Sequence, residues 1–159
     1  MGDFFSGGAA HSSKDMTWAT PKAMFDKLNA MFGAFTLDAA ASNENALCAE
    51  YFTEENDALS HEWSGRVWCN PPYGRTLGDW MRHAYEQRNN CEIIVVLVPA
   101  RTDTSYWKEW VFDHADEVLF VNGRLAFGDG SKPAPFGSAV VIYRPDRIKT
   151  TYGTIERAS

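Results

Sequence analysis

The chain has 159 residues, 45% of them hydrophobic and 23% charged, and carries a formal net charge of −6. This is enough for one globular domain with its own core, and the acidic balance argues against a protein that grips nucleic acid with its whole surface. No apolar run approaches the roughly 18 residues of a membrane span, and Phe4-Phe5 is too short for a signal core, so a cytoplasmic protein is expected.

Residues 1–16 are Gly- and Ser-rich without periodicity and read as a flexible arm. Thr20-Pro21 predicts a helix start, with Thr20 as cap and Pro21 at the first helical position. Met24, Phe25, Leu28, Met31 and Phe32 follow at helical spacing, and Gly33 supplies the stop. Phe35 to Ala40 reads as a short strand running into a loop. The polar stretch 41–61 holds one hint of a strand at Tyr51-Phe52. Arg66 to Cys69 reads as a strand broken by Asn70-Pro71-Pro72-Tyr73-Gly74, after which Thr76 caps a helix with Leu77, Trp80, Met81, Ala84 and Tyr85 on one stripe.

Ile93 to Val98 is continuously apolar and β-branched, as expected of a central parallel strand covered on both faces. A helix is expected from Thr104 to His114, with Trp107 and Trp110, like Trp80, turned to the core. A strand over Val118 to Val121, a Gly/Pro-rich loop from Gly123 to Gly137 and a last strand from Ala139 to Tyr143 complete the pattern. From Arg144 onward the chain is polar and expected to fray, which leaves one domain over residues 17–146 and a polar tail over 147–159. Alternating strands and helices imply an α/β sandwich on a mostly parallel sheet, with the last strand antiparallel because only a loop precedes it.

In such a sheet ligands bind beyond the carboxyl ends of the strands. Asp38 ends the first strand, and Asn70-Pro71-Pro72-Tyr73 ends a later one, so both should face one cleft. The turn offers two aimed acceptors, the Asn70 side-chain oxygen and the Pro71 carbonyl, the latter held in advance because the Pro71-Pro72 step fixes the backbone. Such a pair can hold the two hydrogens of an aromatic exocyclic amine, drawing its nitrogen toward tetrahedral geometry and freeing its lone pair. Tyr73 adds a flat face on which a base can stack. Cys48, Cys69 and Cys91 read as reduced, mostly buried thiols, and the histidines share no metal-ligand spacing with them, so no metal is expected.

Asn70-Pro71-Pro72-Tyr73 resembles the catalytic motif of amino-group methyltransferases, and its context resembles the phage-type DNA N6-adenine methyltransferases. The resemblance runs over roughly residues 16–144 and includes Trp18-Ala19-Thr20-Pro21, Leu37-Asp38-Ala39-Ala40-Ala41, Tyr51-Phe52-Thr53, Leu97 to Thr104, Gly123 to Gly128 and Pro133 to Phe136. It implies a Rossmann-like fold, S-adenosylmethionine as cofactor and DNA as partner. It further implies that Thr20 helps hold the methionine carboxylate, that Asp38 and the adjoining Ala39 line the cofactor pocket, and that Asp57 meets the cofactor's adenine amine. Asn70, Pro71, Pro72 and Tyr73 are implied as the catalytic turn. The sequence departs from the pattern in having Ala39 to Ala41 where many members carry a glycine-rich loop, and in lacking a DNA target-recognition domain.

Phe136 either sandwiches a flipped base against Tyr73 or folds back onto the core. Trp18 either closes over the cofactor or staples the helix that follows. Arg75, Arg101, Arg124 and Lys132 fall near the catalytic edge, as a local basic rim for phosphates or as solvated surface charge. Two other readings share the cleft: methylation of an RNA amine or a protein glutamine amide, and a non-catalytic binding module.

Overall fold

The computed structural model describes residues 18–146 and 149–158; the expected N-terminal arm lies outside them. Its centre is β4 (Cys91–Pro99), in which only Glu92 is exposed. Ile94, Val96 and Val98 point to one face of the sheet and Ile93, Val95 and Leu97 to the other, so both faces are apolar and both are covered. Burying each such side chain stabilises the fold by roughly 1.5–3 kcal/mol.

Around β4 the described residues form a seven-stranded sheet in the order β2-β1-β3-β4-β6-β5-β7. Its other members are β1 (Leu37–Asp38), β2 (Glu50–Tyr51), β3 (Gly65–Cys69), β5 (Glu117–Asn122), β6 (Ser138–Tyr143) and β7 (Thr151–Glu156). β1, β2, β3 and β4 run parallel; β6 runs antiparallel to both β4 and β5. The expected antiparallel strand is therefore β6. Because it is reversed, its first residue, Ser138, pairs with Pro99 at the end of β4. The loop before β6 thus reaches the same sheet edge as the carboxyl ends of β1, β3 and β4, which is the arrangement expected of a Rossmann-like methyltransferase.

Helix α1 (Lys22–Met31) covers one face through Met24, Phe25 and Leu28, with Phe25 set edge-on against Trp68 at 5.5 Å. Its start differs from expectation. Pro21 takes the cap position and no side chain caps the helix, because the Thr20 hydroxyl is turned instead toward Asn70. Gly33, at φ +82°, carries the chain out of the helix. Helix α2 (Leu77–Gln87) follows Thr76, which again lends no side-chain cap, and buries Leu77, Met81 and Ala84 on the opposite face.

Three elements depart from the sequence pattern. The strand expected over 35–40 narrows to Leu37–Asp38. The helix expected over 104–114 forms over residues 105–111 and widens to a π-type turn at Trp107–Val111, closed by Phe112 N–H donating to the Trp107 carbonyl at 2.8 Å. Its start is pinned because the Tyr106 hydroxyl and Trp107 Nε1 both donate to the Pro99 carbonyl, at 3.0 and 3.1 Å. The fraying expected from Arg144 onward is corrected most plainly, since Thr151–Glu156 forms β7, parallel to β5 over its whole length. β7 buries only Ile155 (6% exposed), so its polar alternation is that of an edge strand rather than a free tail.

Candidate functional site

Asn70 follows Cys69 directly at the end of β3. Its amide nitrogen donates to the Trp18 main-chain carbonyl at 2.8 Å and to the Thr20 hydroxyl at 3.0 Å. On its other side, Oδ1 accepts from the Tyr73 hydroxyl at 2.9 Å, and the same hydroxyl lies 3.2 Å from the Leu97 carbonyl. Burial pushes the Tyr73 phenol well above its ordinary range, so it is a neutral donor at any working pH. Pro71 is buried, and no hydrogen bond from the described residues reaches its carbonyl. Cys69 turns to the α2 face, away from this cluster, and burial keeps its thiol protonated.

The rings around Asn70 form one cluster. Trp18 lies 6.1 Å from Tyr73, 5.6 Å from Phe127 and 5.1 Å from Phe136. Phe136 meets Tyr73 at 5.8 Å with the ring planes 76° apart. Two rings that sandwich a base must be parallel and roughly 7 Å apart, two van der Waals spacings. Of the two readings for Phe136, the ring geometry described is the one folded onto the core: it is 8% exposed and meets Tyr73 edge-on. The Trp18 indole completes this cluster and packs against the same core as α1. Phe127 belongs to it as well, and sequence reasoning assigned it no role although it noted the Gly123 to Gly128 segment.

Asp38 sits at the end of β1, 3% exposed. Its carboxylate accepts from the Ala40 and Leu47 amides at 3.3 and 3.0 Å. Burial raises its pKa and those two amides pull it back. In place of glycines, this carboxylate shapes the loop after β1. The loop is sewn to β2 as well, through Phe52 N–H to the Asp38 carbonyl and Ala41 N–H to the Phe52 carbonyl. Ala39 is 1% exposed and gives its N–H to the Trp68 carbonyl, so it packs rather than presents. Cys48, half-buried in the same loop, has its thiol pushed up to about 11 by burial and by the Asp38 charge.

Beyond β2, Asp57 sits exposed between two short helical turns at φ +53°, and its carboxylate has no partner among the described residues. Nearby, Phe52 stacks on His61 with centroids 5.1 Å apart and planes 10° apart. The Tyr51-Phe52-Thr53 segment had signalled an element here but not this pair.

Arg75, Arg101, Arg124 and Lys132 are all exposed. Arg101 follows β4 by two positions and holds its guanidinium 5.3 Å from the Phe136 ring centre. Arg124 and Lys132 lie on the loop between β5 and β6, which Gly128 ties to the Ala19 carbonyl. Lys132 lines a cleft of about 480 Å³ with Trp18 and Phe127. The edge that carries Asn70 thus carries cations on an otherwise acidic chain.

Comparison with known proteins gives the family of the chain. The family model described as DNA N-6-adenine-methyltransferase (Dam) matches residues 8–154. A DNA N-6-adenine-methyltransferase of Escherichia phage T1 is 32% identical over 128 residues, 79% of this chain. The match spans about half of that relative, 53% of its length. A second, from Haemophilus phage HP1, is 28% identical over 153 residues, covering 91% of this chain and 86% of the relative.

Proposed function

This chain belongs to the DNA N-6-adenine-methyltransferase (Dam) family, and from that premise we propose that it moves a methyl group from S-adenosylmethionine to the N6 amine of adenine in DNA. The observation that carries the reading is the Asn70 amide at the end of β3, held by its nitrogen so that Oδ1 faces the Tyr73 hydroxyl as an acceptor with a second lone pair for a substrate amine.

The residues at the sheet edge fit the cofactor. Asp57 offers an unpaired carboxylate for an adenine amine, the Thr20 hydroxyl keeps its own proton to donate to a carboxylate, and the Asp38-shaped loop gives the wall between them. S-adenosylmethionine supplies a methyl group on a cationic sulfur.

The target adenine leaves the base stack to reach this edge. Asn70 Oδ1 and the Pro71 carbonyl accept its two amine hydrogens, which localises the nitrogen lone pair. Pro71 has no N–H, and the Pro71-Pro72 step fixes its carbonyl before the base arrives, so no reorganisation is charged to the transition state. With the cofactor bound, the amine nitrogen would take the methyl as the methyl–sulfur bond breaks, the sulfur leaving as a neutral thioether, and would give up one proton to water. Tyr73 supports the base and the ring cluster of Trp18, Phe127 and Phe136 supports Tyr73. Arg75, Arg101, Arg124 and Lys132 take the flanking phosphates.

A net charge of −6 favours a second reading with the same chemistry, in which an RNA amine or a glutamine amide takes the methyl. Labelled-methyl transfer to duplex DNA, with Asn70→Ala as control, tests the first reading.

A further inference from the structure

An asparagine amide presents a donor and an acceptor that exchange places on a half-turn, and only one arrangement serves an amine. The hydrogen bonds around Asn70 decide which. The Trp18 main-chain carbonyl is an acceptor only, and it lies 2.8 Å from one terminal atom of the amide. That atom must be the nitrogen. The Thr20 hydroxyl lies 3.0 Å from the same nitrogen and takes its second hydrogen. Across the amide, the Tyr73 hydroxyl donates to Oδ1. A half-turn of Asn70 would set its oxygen against the Trp18 carbonyl oxygen, so that carbonyl fixes the state and the two hydroxyls turn to suit it.

We propose that Thr20 is a positioning residue: with the Trp18 carbonyl it takes both amide hydrogens of Asn70 and holds Oδ1 as the acceptor for the target amine. This rests on the reading of Asn70 as that acceptor. Thr20 is free for the task because it does not cap α1, where Pro21 holds the cap position. A hydroxyl that accepts from Asn70 still has its own proton to donate, so holding Asn70 and holding an anionic group of the cofactor do not compete.

The test compares the full-length chain with Thr20→Val, which keeps the shape and removes the acceptor, and Thr20→Ser, which keeps the acceptor. At saturating cofactor and DNA, T20V still loses about tenfold in kcat, the rate equivalent of one neutral hydrogen bond, while the KM for DNA stays within about twofold and the KM for cofactor rises with the loss of the donated hydroxyl proton. T20S recovers to within about threefold of the parent, since the acceptor remains. In ¹⁵N-labelled protein the Asn70 side-chain amide hydrogens exchange at least about tenfold faster in T20V than in the parent, at matched melting temperature. Should T20V not fold, Thr20→Ala is read in the same two ways. Parental kcat in T20V, or a loss that lies wholly in the cofactor KM and vanishes at saturation, overturns the proposal. If the parent itself fails to methylate adenine, the acceptor reading fails, whereas unchanged amide exchange in T20V would remove the clamp alone.

Discussion

The Tyr73 hydroxyl stands 2.9 Å from Asn70 Oδ1 and 3.2 Å from the Leu97 carbonyl, one proton between two acceptors. Leu97 lies in β4, the central strand, so the turn after β3 is tied across the sheet as well as along the chain. The hydroxyl and the ring of Tyr73 do separable work. Tyr73→Phe keeps the contacts with Trp18, Phe127 and Phe136 and should lower turnover by no more than about tenfold, with little change in the DNA requirement. Tyr73→Ala removes the ring too and should weaken productive DNA binding by roughly 1–3 kcal/mol, partly restored by a mismatch opposite the target adenine. Titration of matched and mismatched duplexes checks this; equal behaviour of Y73A and the parent on both would remove the stacking role.

Asn70→Ala should lose at least about 100-fold in turnover, the scale for one transition-state hydrogen bond. Affinity for S-adenosylmethionine, measured by calorimetry, should stay close to that of the parent, since no part of the proposed cofactor wall is removed.

Most of the fold was legible because its signals are periodic. The apolar run of β4, the stripe of α2 and the loop before β6 each carried their own mark. β7 did not, because an edge strand buries one residue, Ile155, and polar alternation of that kind looks like a tail. The helix before β5 was legible from its spacing, but its widening at Trp107–Val111 was not, since the contacts that hold its start, two side chains donating to the Pro99 carbonyl, are tertiary. Within the site, Asn70 and Tyr73 were legible as a motif. The role of the Thr20 hydroxyl was not, since nothing local tells a cap from a contact 50 positions away.

β7 also yields a stability prediction. Ile155→Ala should destabilise the domain by about 2–4 kcal/mol, the usual cost of truncating a buried isoleucine. Because Ile155 lies on the strand farthest from β1 in the sheet, cofactor affinity measured on the folded protein should not change. Urea unfolding and calorimetry on the same samples check both halves.

Asp38 gives a pH dependence. Its folded pKa is raised because burial outweighs the Ala40 and Leu47 amides. A raised carboxyl contributes stability that is fully present below its unfolded value, near 3.8, and is lost as pH rises through the folded value. The stability of the parent relative to Asp38→Asn should therefore fall as pH rises above 3.8. Urea melts across that range check it; a difference that grows with pH would mean that the amides outweigh burial.

The basic rim predicts a salt effect. Arg101→Ala and Arg124→Ala should each flatten the dependence of DNA affinity on salt by about one phosphate, and should do so alike on unrelated sequences. Binding titrations at several salt concentrations separate this from a loss of base contacts.

The central claim is that the amine held by Asn70 and Pro71 belongs to adenine in DNA. The most direct measurement offers the protein labelled S-adenosylmethionine with duplex DNA, RNA and a glutamine peptide in parallel, followed by identification of the labelled nucleoside or residue. The account predicts N6-methyladenine in DNA as the fastest-formed product, abolished in Asn70→Ala. Faster labelling of RNA or of the glutamine peptide than of every duplex tried would contradict it.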